Sequence, residues 1–344
     1  MKNITAVIAA FSAFAVTSLL GFIVIPYLRK LKFGQTILEI GPKWHEGKKG
    51  TPTMGGIMII AGVLVAVAVA FGQSAITGGE FFVQLKDRFN LSIFLSGLIM
   101  ALGMGAIGFL DDYIKVVKKR NLGLTARQKT FLQLLVSALY LMTLALVGVR
   151  TTVIPFIGEI DVSSGIGLIF WPIALMFVYG FTNAVNLTDG LDGLASSVTL
   201  VVSCALMLIC GFFSSFHGNV AAAALAGACA GFVVWNSKPA KVFMGDTGSM
   251  FLGGMVVALS FSTGRPVILI LIGIIYLIEA FSVMLQVAYY KKTKKRIFKM
   301  APIHHHFEMC GWSEEKIVFV FSVITLITSI TAIVLIVLEN TLLK

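Results

Sequence analysis

Charged side chains are scarce in this 344-residue chain, where Asp, Glu, Lys and Arg make up only 12% of the residues. Soluble domains carry about 25%. Hydrophobic residues reach 58%, and the mean hydropathy is +0.94. The shortage of charge excludes an ordinary soluble domain and indicates an integral membrane protein.

Cysteine is also rare. Cys204, Cys210 and Cys229 fall inside apolar segments and Cys310 lies in a polar one, without the paired spacing of a zinc site or a disulfide framework. The basic segments lack interleaved aromatic residues, so no nucleic-acid partner is expected. The apolar runs are unbroken, which excludes the short alternating strands of a membrane barrel.

Ten apolar segments are each long enough for a helix to cross about 30 Å of hydrocarbon. The first is too long for a cleaved signal peptide and is followed by basic residues, so we predict that it is retained. We therefore predict a polytopic all-α membrane protein with one domain over residues 1–344. The predicted spans are 4–28, 52–72, 91–110, 130–149, 165–183, 194–213, 218–236, 248–263, 267–290 and 317–338.

Basic residues predict the orientation. The segments after the odd-numbered spans contain 21 of the 27 Lys and Arg residues. Positively charged segments stay in the cytoplasm, so we expect those segments in the cytoplasm and both termini outside. The basic run 291–299 is interpreted as an anchor for this topology.

Asp111 and Asp112 end the third span within "GFLDDYIK", and Lys115 follows one turn later. On a continuing helix Asp111 and Lys115 share a face, whereas Asp112 points about 100° away, so the two carboxylates have different neighbours. A capped helix end with a salt bridge is the structural alternative. Acids at a helix C-terminus oppose the macrodipole, which favours a functional role.

The segment "TNAVNLTDGLDGLAS" contains Asn186, Asp189 and Asp192 in a polar turn that precedes the sixth span. Side-chain oxygens in such a turn suit a hydroxylated ligand or a magnesium ion. The spacing fails the calcium-binding EF-hand pattern. An ordinary Asx turn with an N-cap is the structural alternative.

Asp246 lies between Gly245 and Thr247 in "NSKPAKVFMGDTGSMFLGG", just before the eighth span. Small residues let the backbone approach a ligand, and a helix N-terminus favours anions. The ending of a Walker phosphate loop is absent. The structural alternative for Asp246 is an N-cap.

His304, His305 and His306 are consecutive in "MAPIHHHFEMCGW", which is expected to be a loop before the last span. A triplet lacks the spacing of zinc ligands, so phosphate hydrogen bonding and acid–base chemistry are the favoured roles, with a solvated turn as the alternative. Glu279 is the one acid well inside a span. It faces either a lipid groove or another helix, and we expect burial against a neighbouring helix.

Five motifs occur in order across the chain: "KKGTPTMGG", "DDYIK", "NLTDGLDGL", "FMGDTGS" and "PIHHHFE". Together they resemble those of the polyprenyl-phosphate N-acetylhexosamine-1-phosphate transferases, most closely the members that use N-acetylmuramoyl-pentapeptide. The resemblance implies transfer of phospho-N-acetylmuramoyl-pentapeptide from UDP to undecaprenyl phosphate, giving lipid I and UMP for peptidoglycan synthesis. It also implies a multi-pass protein of the bacterial plasma membrane, Mg²⁺, an active site facing the cytoplasm, a homodimer, and ten spans with both termini outside.

The resemblance implies roles for particular residues. Asp246 is the expected magnesium ligand, and Asp111, Asp112 and His305 join it as catalytic residues. Phe243 is expected beside the uracil, and His304, His306 and Gln286 near the sugar and diphosphate. The expected substrate-binding residues are Lys48, Thr53, Lys115, Lys129, Asn186, Asp189, Asp192, Asn236, Phe243, Gln286, His304 and His306.

The sequence leaves open two mechanisms and two other functions. The lipid phosphate attacks directly, with Asp112 or Asp111 as the base, or the reaction passes through an aspartyl-phosphate. A related transferase that uses UDP-N-acetylglucosamine is the nearest rival, because substrate choice rests on small differences in free energy. A transporter is less favoured, because the charges lie at one rim and no internal repeat is evident.

Overall fold

The structure is a computed structural model that describes residues 4–31, 50–117 and 122–342. Helices dominate these ranges, because most segments are apolar and all backbone groups in a bilayer need internal hydrogen bonds. The helices are α1 Ile4–Lys30, α2 Gly56–Thr77, α3 Glu80–Leu85, α4 Arg88–Val117, α5 Ala126–Val147, α6 Phe170–Thr188, α7 Leu194–Phe212, α8 Phe216–Asn236, α9 Gly245–Ser262, α10 Ile268–Ile272, α11 Ile274–Thr293, α12 Ile303–Met309 and α13 Glu314–Leu342.

Nine helices in the described part of the chain are long and apolar enough to cross a membrane. Each overlaps one of the predicted spans, which confirms a polytopic helical membrane protein. The predicted span 248–263 corresponds to α9, which is a helix but is not among the nine. Its first turn carries Asp246 and its sequence is rich in small residues.

The predicted span 267–290 is not one continuous helix. It is divided at Gly273 into the short α10 and the longer α11. The predicted span 165–183 begins as a 3₁₀ turn, Gly165–Ile169, before α6.

A β-hairpin between α5 and the 3₁₀ turn was not predicted. Strand β1, Thr151–Ile154, pairs antiparallel with β2, Gly158–Asp161, with Thr151 opposite Asp161. The β-branched sequence of β1 favours extended backbone. The hairpin lies between the predicted spans 130–149 and 165–183, so it adds a short sheet outside the predicted helices.

Helix α9 lies at the centre of the bundle, where every residue from Thr247 to Ser260 is buried. Small residues allow α4 and α9 to approach closely, since a Cβ added at Gly254 would lie 2.7 Å from the Cα of Ala101. Farther along the same contact, a Cβ at Gly108 would overlap the backbone of Asp246. The close approach brings the end of α4 against the start of α9, where the conspicuous acids lie.

Candidate active site

Three aspartates from two helices form one cluster. Asp111 and Asp112 lie near the C-terminal end of α4, and Asp246 lies in the first turn of α9. One carboxylate oxygen from each lies within 4.8 Å of the others. Asp111 and Asp112 are buried, and Asp246 keeps 20% of its side chain exposed. The cluster is therefore open to a ligand on the Asp246 side.

Two lysines and an amide surround Asp246. Its Oδ2 lies 3.0 Å from Lys115 Nζ and 2.8 Å from Lys129 Nζ, and its Oδ1 accepts a 2.8 Å hydrogen bond from Asn186 Nδ2. Lys129 is in the first turn of α5, which begins with a capping box between Thr125 and Gln128. Side chains from α4, α5 and α6 thus converge on one carboxylate of α9.

Asp111 and Asp112 have different neighbours, as the helical geometry predicted. Asp111 pairs with Lys115 at 2.5 Å and accepts a 2.8 Å bond from the Leu124 amide. Asp112 Oδ2 accepts bonds from the amide and hydroxyl of Thr247, at 2.9 and 2.8 Å. Asp111 is therefore linked to the basic segment before α5, and Asp112 to the N-terminus of α9.

Gly245 brings Thr53 close to the cluster. Its φ is +72°, a conformation that favours glycine. A Cβ at this position would lie 2.5 Å from Asp112 Oδ2 and 2.8 Å from Thr53 Oγ1. Only glycine therefore fits between the two side chains. Lys48, the other predicted residue of this motif, lies outside the described residues.

Asp189 caps the C-terminal end of α6 beside the cluster. Loss of hydration, followed by the negative charges of Asp246, Asp112 and Asp192, raises the pKa of Asp189 to about 8. This carboxyl group therefore holds its proton at neutral pH unless a cation is nearby.

Asp192 and Asn236 connect the loops that flank the cluster. Asp192 Oδ2 accepts a 3.0 Å bond from the Ala240 amide. Asn236 accepts a 3.1 Å bond from the Gly193 amide and donates a 2.9 Å bond to the Val242 carbonyl. Both polar side chains hold the segment before α9 against the turn before α7.

Phe243 connects that segment to the residues before α2. Its amide donates to the Pro52 carbonyl at 2.8 Å, and its carbonyl accepts from the Gly55 amide at 2.9 Å. Its side chain is partly exposed. The backbone contacts bring the Thr53 and Phe243 motifs side by side.

The histidine triplet lies on a helix, α12, so the prediction of a loop was wrong. His304 is fully buried, and its Nδ1 lies 2.9 Å from Glu279 Oε2, which also excludes a solvated turn for this residue. His305 Nδ1 lies 2.6 Å from Glu308 Oε2. Glu279 is buried against a neighbouring helix, as expected.

His306 and Gln286 belong to a separate group of contacts around the basic run. His306 Nδ1 accepts a 3.1 Å bond from the Lys299 amide. Gln286 Oε1 accepts bonds from the amides of Ile297 and Phe298, both at 3.0 Å. These side chains shape the segment between α11 and α12.

Several contacts in the site were missed from sequence. Thr247 binds Asp112, and Ser249 Oγ accepts a 2.8 Å bond from Asn186 Nδ2. Both lie in the motif quoted for Asp246, and their hydroxyls were the available signal. The Glu279–His304 contact joins residues 25 positions apart, and local spacing does not predict it.

The donor set suits a hard divalent cation. Carboxylate oxygens are the ligands that Mg²⁺ prefers, and Asp111, Asp112 and Asp246 supply three of them. The two lysine ammonium groups at Asp246 show that this carboxylate accommodates positive charge from more than one direction. The sequence had assigned only Asp246 to the metal.

Comparisons with known proteins identify relatives over almost the whole chain. The family model of glycosyl transferase family 4 matches residues 94–264. The model of phospho-N-acetylmuramoyl-pentapeptide-transferase signature 1 matches residues 48–60. The chain is similar to proteins named phospho-N-acetylmuramoyl-pentapeptide-transferase. The one from Clostridioides difficile strain 630 is 49% identical over 92% of this chain and 93% of the relative. The one from Halalkalibacterium halodurans is 44% identical over 91% of this chain and 92% of the relative. One from Clostridium perfringens strain SM101 is 47% identical over 93% of each chain.

Proposed function

The chain belongs to the phospho-N-acetylmuramoyl-pentapeptide-transferase family, and we propose that its reaction takes place at the cluster of Asp111, Asp112 and Asp246. The enzyme transfers phospho-N-acetylmuramoyl-pentapeptide from UDP to undecaprenyl phosphate and forms lipid I and UMP in peptidoglycan synthesis. The observation that supports this site is the convergence of three carboxylates, two lysines and Asn186 from four helices, α4, α5, α6 and α9.

The proposed cofactor is Mg²⁺, held by Asp246 together with Asp111 and Asp112. When bound, the ion supplies positive charge to the phosphate oxygens of both substrates. The carboxylates fit this role because they are hard oxygen donors whose ligand atoms lie within 4.8 Å of one another.

The lysines are proposed to neutralise the reacting phosphates. Two anionic substrates repel each other, and transfer of a phosphoryl group depends on positioning and charge stabilisation. Lys115 and Lys129 both approach Asp246 Oδ2, so each has an ammonium group beside the proposed metal ligand. On substrate binding, we expect them to contact phosphate oxygens.

We propose direct attack by an oxygen of the lipid phosphate on the sugar-linked phosphorus of the donor. The new P–O bond forms as the bond to UMP breaks, and any remaining proton on the lipid phosphate passes to Asp112 or Asp111. Asp112 is the better placed base, because two hydrogen bonds from Thr247 fix its orientation whereas Asp111 is paired with Lys115. Trapping a phosphorylated enzyme with the UDP donor alone would support the covalent route instead.

The remaining predicted residues are proposed to bind the donor around this centre. Asn186 and Asp189 border the cluster, and Thr53 and Phe243 lie on adjoining segments. The full set of proposed substrate-binding residues also includes Lys48, Asp192, Asn236, Gln286, His304 and His306, with His305 as a catalytic residue.

The proposed topology has ten spans, with α9 as the additional one. Helix α9 is surrounded by other helices, so it does not need an apolar outer face. Ten spans place both termini outside, and the excess of Lys and Arg then places the aspartate cluster at the cytoplasmic face. A homodimer in the plasma membrane is part of the same proposal.

A UMP-release assay tests the proposed site. Purified protein, undecaprenyl phosphate, Mg²⁺ and UDP-N-acetylmuramoyl-pentapeptide are expected to give UMP and lipid I. Chelation should stop the reaction, and added Mg²⁺ should restore it. UDP-N-acetylglucosamine is the control donor. Turnover that persists after thorough chelation would exclude the proposed metal role.

A further inference from the structure

A buried carboxylate lies beside the first histidine of α12, outside the aspartate cluster. Glu279 and His304 are both 0% exposed, and Glu279 Oε2 lies 2.9 Å from His304 Nδ1. Within the described ranges, Glu279 Oε1 and His304 Nε2 have no hydrogen-bond partner. A buried carboxylate is costly unless a donor satisfies it, so the orientation of this imidazole matters to both groups.

The chemistry of the pair determines which imidazole nitrogen is available. With Glu279 as a carboxylate, its oxygens only accept hydrogen bonds, and Nδ1 of His304 is then the donor in the 2.9 Å contact. The other nitrogen, Nε2, is then left for a second partner. Carboxylates that bind one ring nitrogen commonly set the tautomer and direction of a functional histidine.

The free edge of the His304 ring faces the turn beside the aspartate cluster. A Cβ added at Gly190 would overlap His304 Nε2 and would lie 2.6 Å from its Cε1. The preceding residue, Asp189, interacts electrostatically with Asp246 and Asp112. His304 Nε2 therefore lies against the turn that borders the proposed reaction centre.

We propose that Glu279 is a positioning residue for the transfer reaction: it accepts the Nδ1 proton of His304, holds the ring against Gly190 and leaves Nε2 available to accept a hydrogen bond from a hydroxyl group of the nucleotide-sugar donor. The inference rests on the proposed function, since it takes His304 to lie at the donor site. A small movement of the Asp189–Gly190 turn on donor binding would expose Nε2.

The position of Glu279 supports this role over simple packing. Glu279 is on α11 and His304 is on α12, so their bond fixes one helix relative to the other. Replacement of both partners of a buried hydrogen bond by apolar groups of the same shape can be nearly neutral or stabilising, so stability alone does not explain the pair. His305 has its own carboxylate partner on the same helix, Glu308, and does not need Glu279.

The test combines the tautomer of His304 with the kinetics of Glu279→Gln. In wild-type protein labelled with ¹⁵N-histidine and free of substrate, we expect a single His304 form with the proton on Nδ1, assigned by loss of its signal in His304→Gln. In Glu279→Gln, the amide can donate or accept, so we expect a mixture of tautomers. We expect kcat to fall about 10- to 100-fold with a much smaller change in KM for undecaprenyl phosphate.

Two further variants separate positioning from folding. Glu279→Asp restores the charge and should recover part of the lost kcat. Glu315→Gln, which alters an exposed carboxylate on α13, should retain normal kcat and melting temperature. An unprotonated His304 Nδ1 in the wild-type protein would overturn the proposal without any variant. So would normal kcat in folded Glu279→Gln.

Asp246→Asn tests the proposed reaction centre independently of Glu279→Gln. If Asp246→Asn loses turnover while Glu279→Gln keeps it, only the inference about Glu279 fails. If Asp246→Asn keeps normal turnover, the proposed centre fails, and the histidine spectra still establish whether Glu279 sets the tautomer.

Discussion

Asp246 lies in the first turn of α9 and Glu279 lies on α11, and the surroundings of the two carboxylates differ. Asp246 is 20% exposed and contacts two lysines and an asparagine. The side chain of Glu279 is fully buried, and among the residues that the structure describes it pairs only with His304. A carboxylate with several cationic partners can exchange them for a ligand. One with a single buried partner fixes the direction of that partner. We therefore propose ligand binding for Asp246 and a positioning role for Glu279.

Asp246→Asn is expected to have the largest effect, because it removes the charge that distinguishes Asp246 as a proposed ligand. The amide keeps the shape of the side chain but removes the charge shared by Lys115, Lys129 and the proposed cation. We expect UMP release to fall about 10⁴-fold, since a bound metal contributes several kcal/mol of transition-state stabilisation. Dependence on Mg²⁺ should be lost as well. Unchanged yield and unchanged metal dependence would refute the proposed centre.

Asp112→Asn tests whether the aspartate that binds Thr247 acts as a base. Loss of a positioned base costs about 10²- to 10⁴-fold, and we expect about 10³-fold in kcat. The matched control is Thr247→Val, which removes only the hydroxyl that binds Asp112 and should cost much less. Near-normal turnover of Asp112→Asn would leave Asp111 as the remaining candidate.

Lys129→Met tests the contribution of one cation at Asp246. Methionine keeps most of the unbranched side chain but removes the charge. We expect about a 100-fold loss in kcat/KM, comparable to removal of one group that stabilises developing charge. Arg127→Met is the matched control, because Arg127 is exposed in the same first turn of α5. Equal losses in both variants would indicate a general effect of net charge.

Gly190→Ala tests whether the position of the His304 ring affects the reaction. The added Cβ would overlap the His304 ring, and overpacking of this kind costs about 2 kcal/mol. If the ring is displaced from the donor site, kcat should fall about 30-fold. Gly180→Ala on α6 is the control, because no atom lies within 4 Å of the added Cβ. Normal kcat in Gly190→Ala would argue against a role for this contact.

Asp189→Asn tests the smallest expected effect, on the pH dependence of cation binding. The pKa of Asp189 is raised to about 8, so its carboxyl group becomes charged as the pH rises through that value. A nearby cation is then attracted more strongly, and the affinity for Mg²⁺ should increase about tenfold between pH 7 and 9. Titration calorimetry should show a weaker increase in the variant. An equal increase in both proteins would exclude Asp189 as its source.

Much of the site was predictable because its chemistry lies in short motifs. Asp111 and Lys115 are one turn apart, so their pairing followed from helix geometry alone. The role of Thr247 was not predictable, because its bonds to Asp112 connect residues 135 positions apart. The histidine triplet was placed in a loop because its seven-residue helix is too short to show a clear hydrophobic period.

The amino-acid sequence by itself determined the membrane class, the approximate position of the spans and the set of acidic motifs, because apolar length and charge are local properties. Only the tertiary structure decided which of those motifs share a centre. Glycines allow α4 and α9 to approach so closely that Asp111 and Asp112 lie beside Asp246. The pairing of Glu279 with His304 depends in the same way on the packing of α11 against α12, and such packing depends on shape complementarity between distant segments.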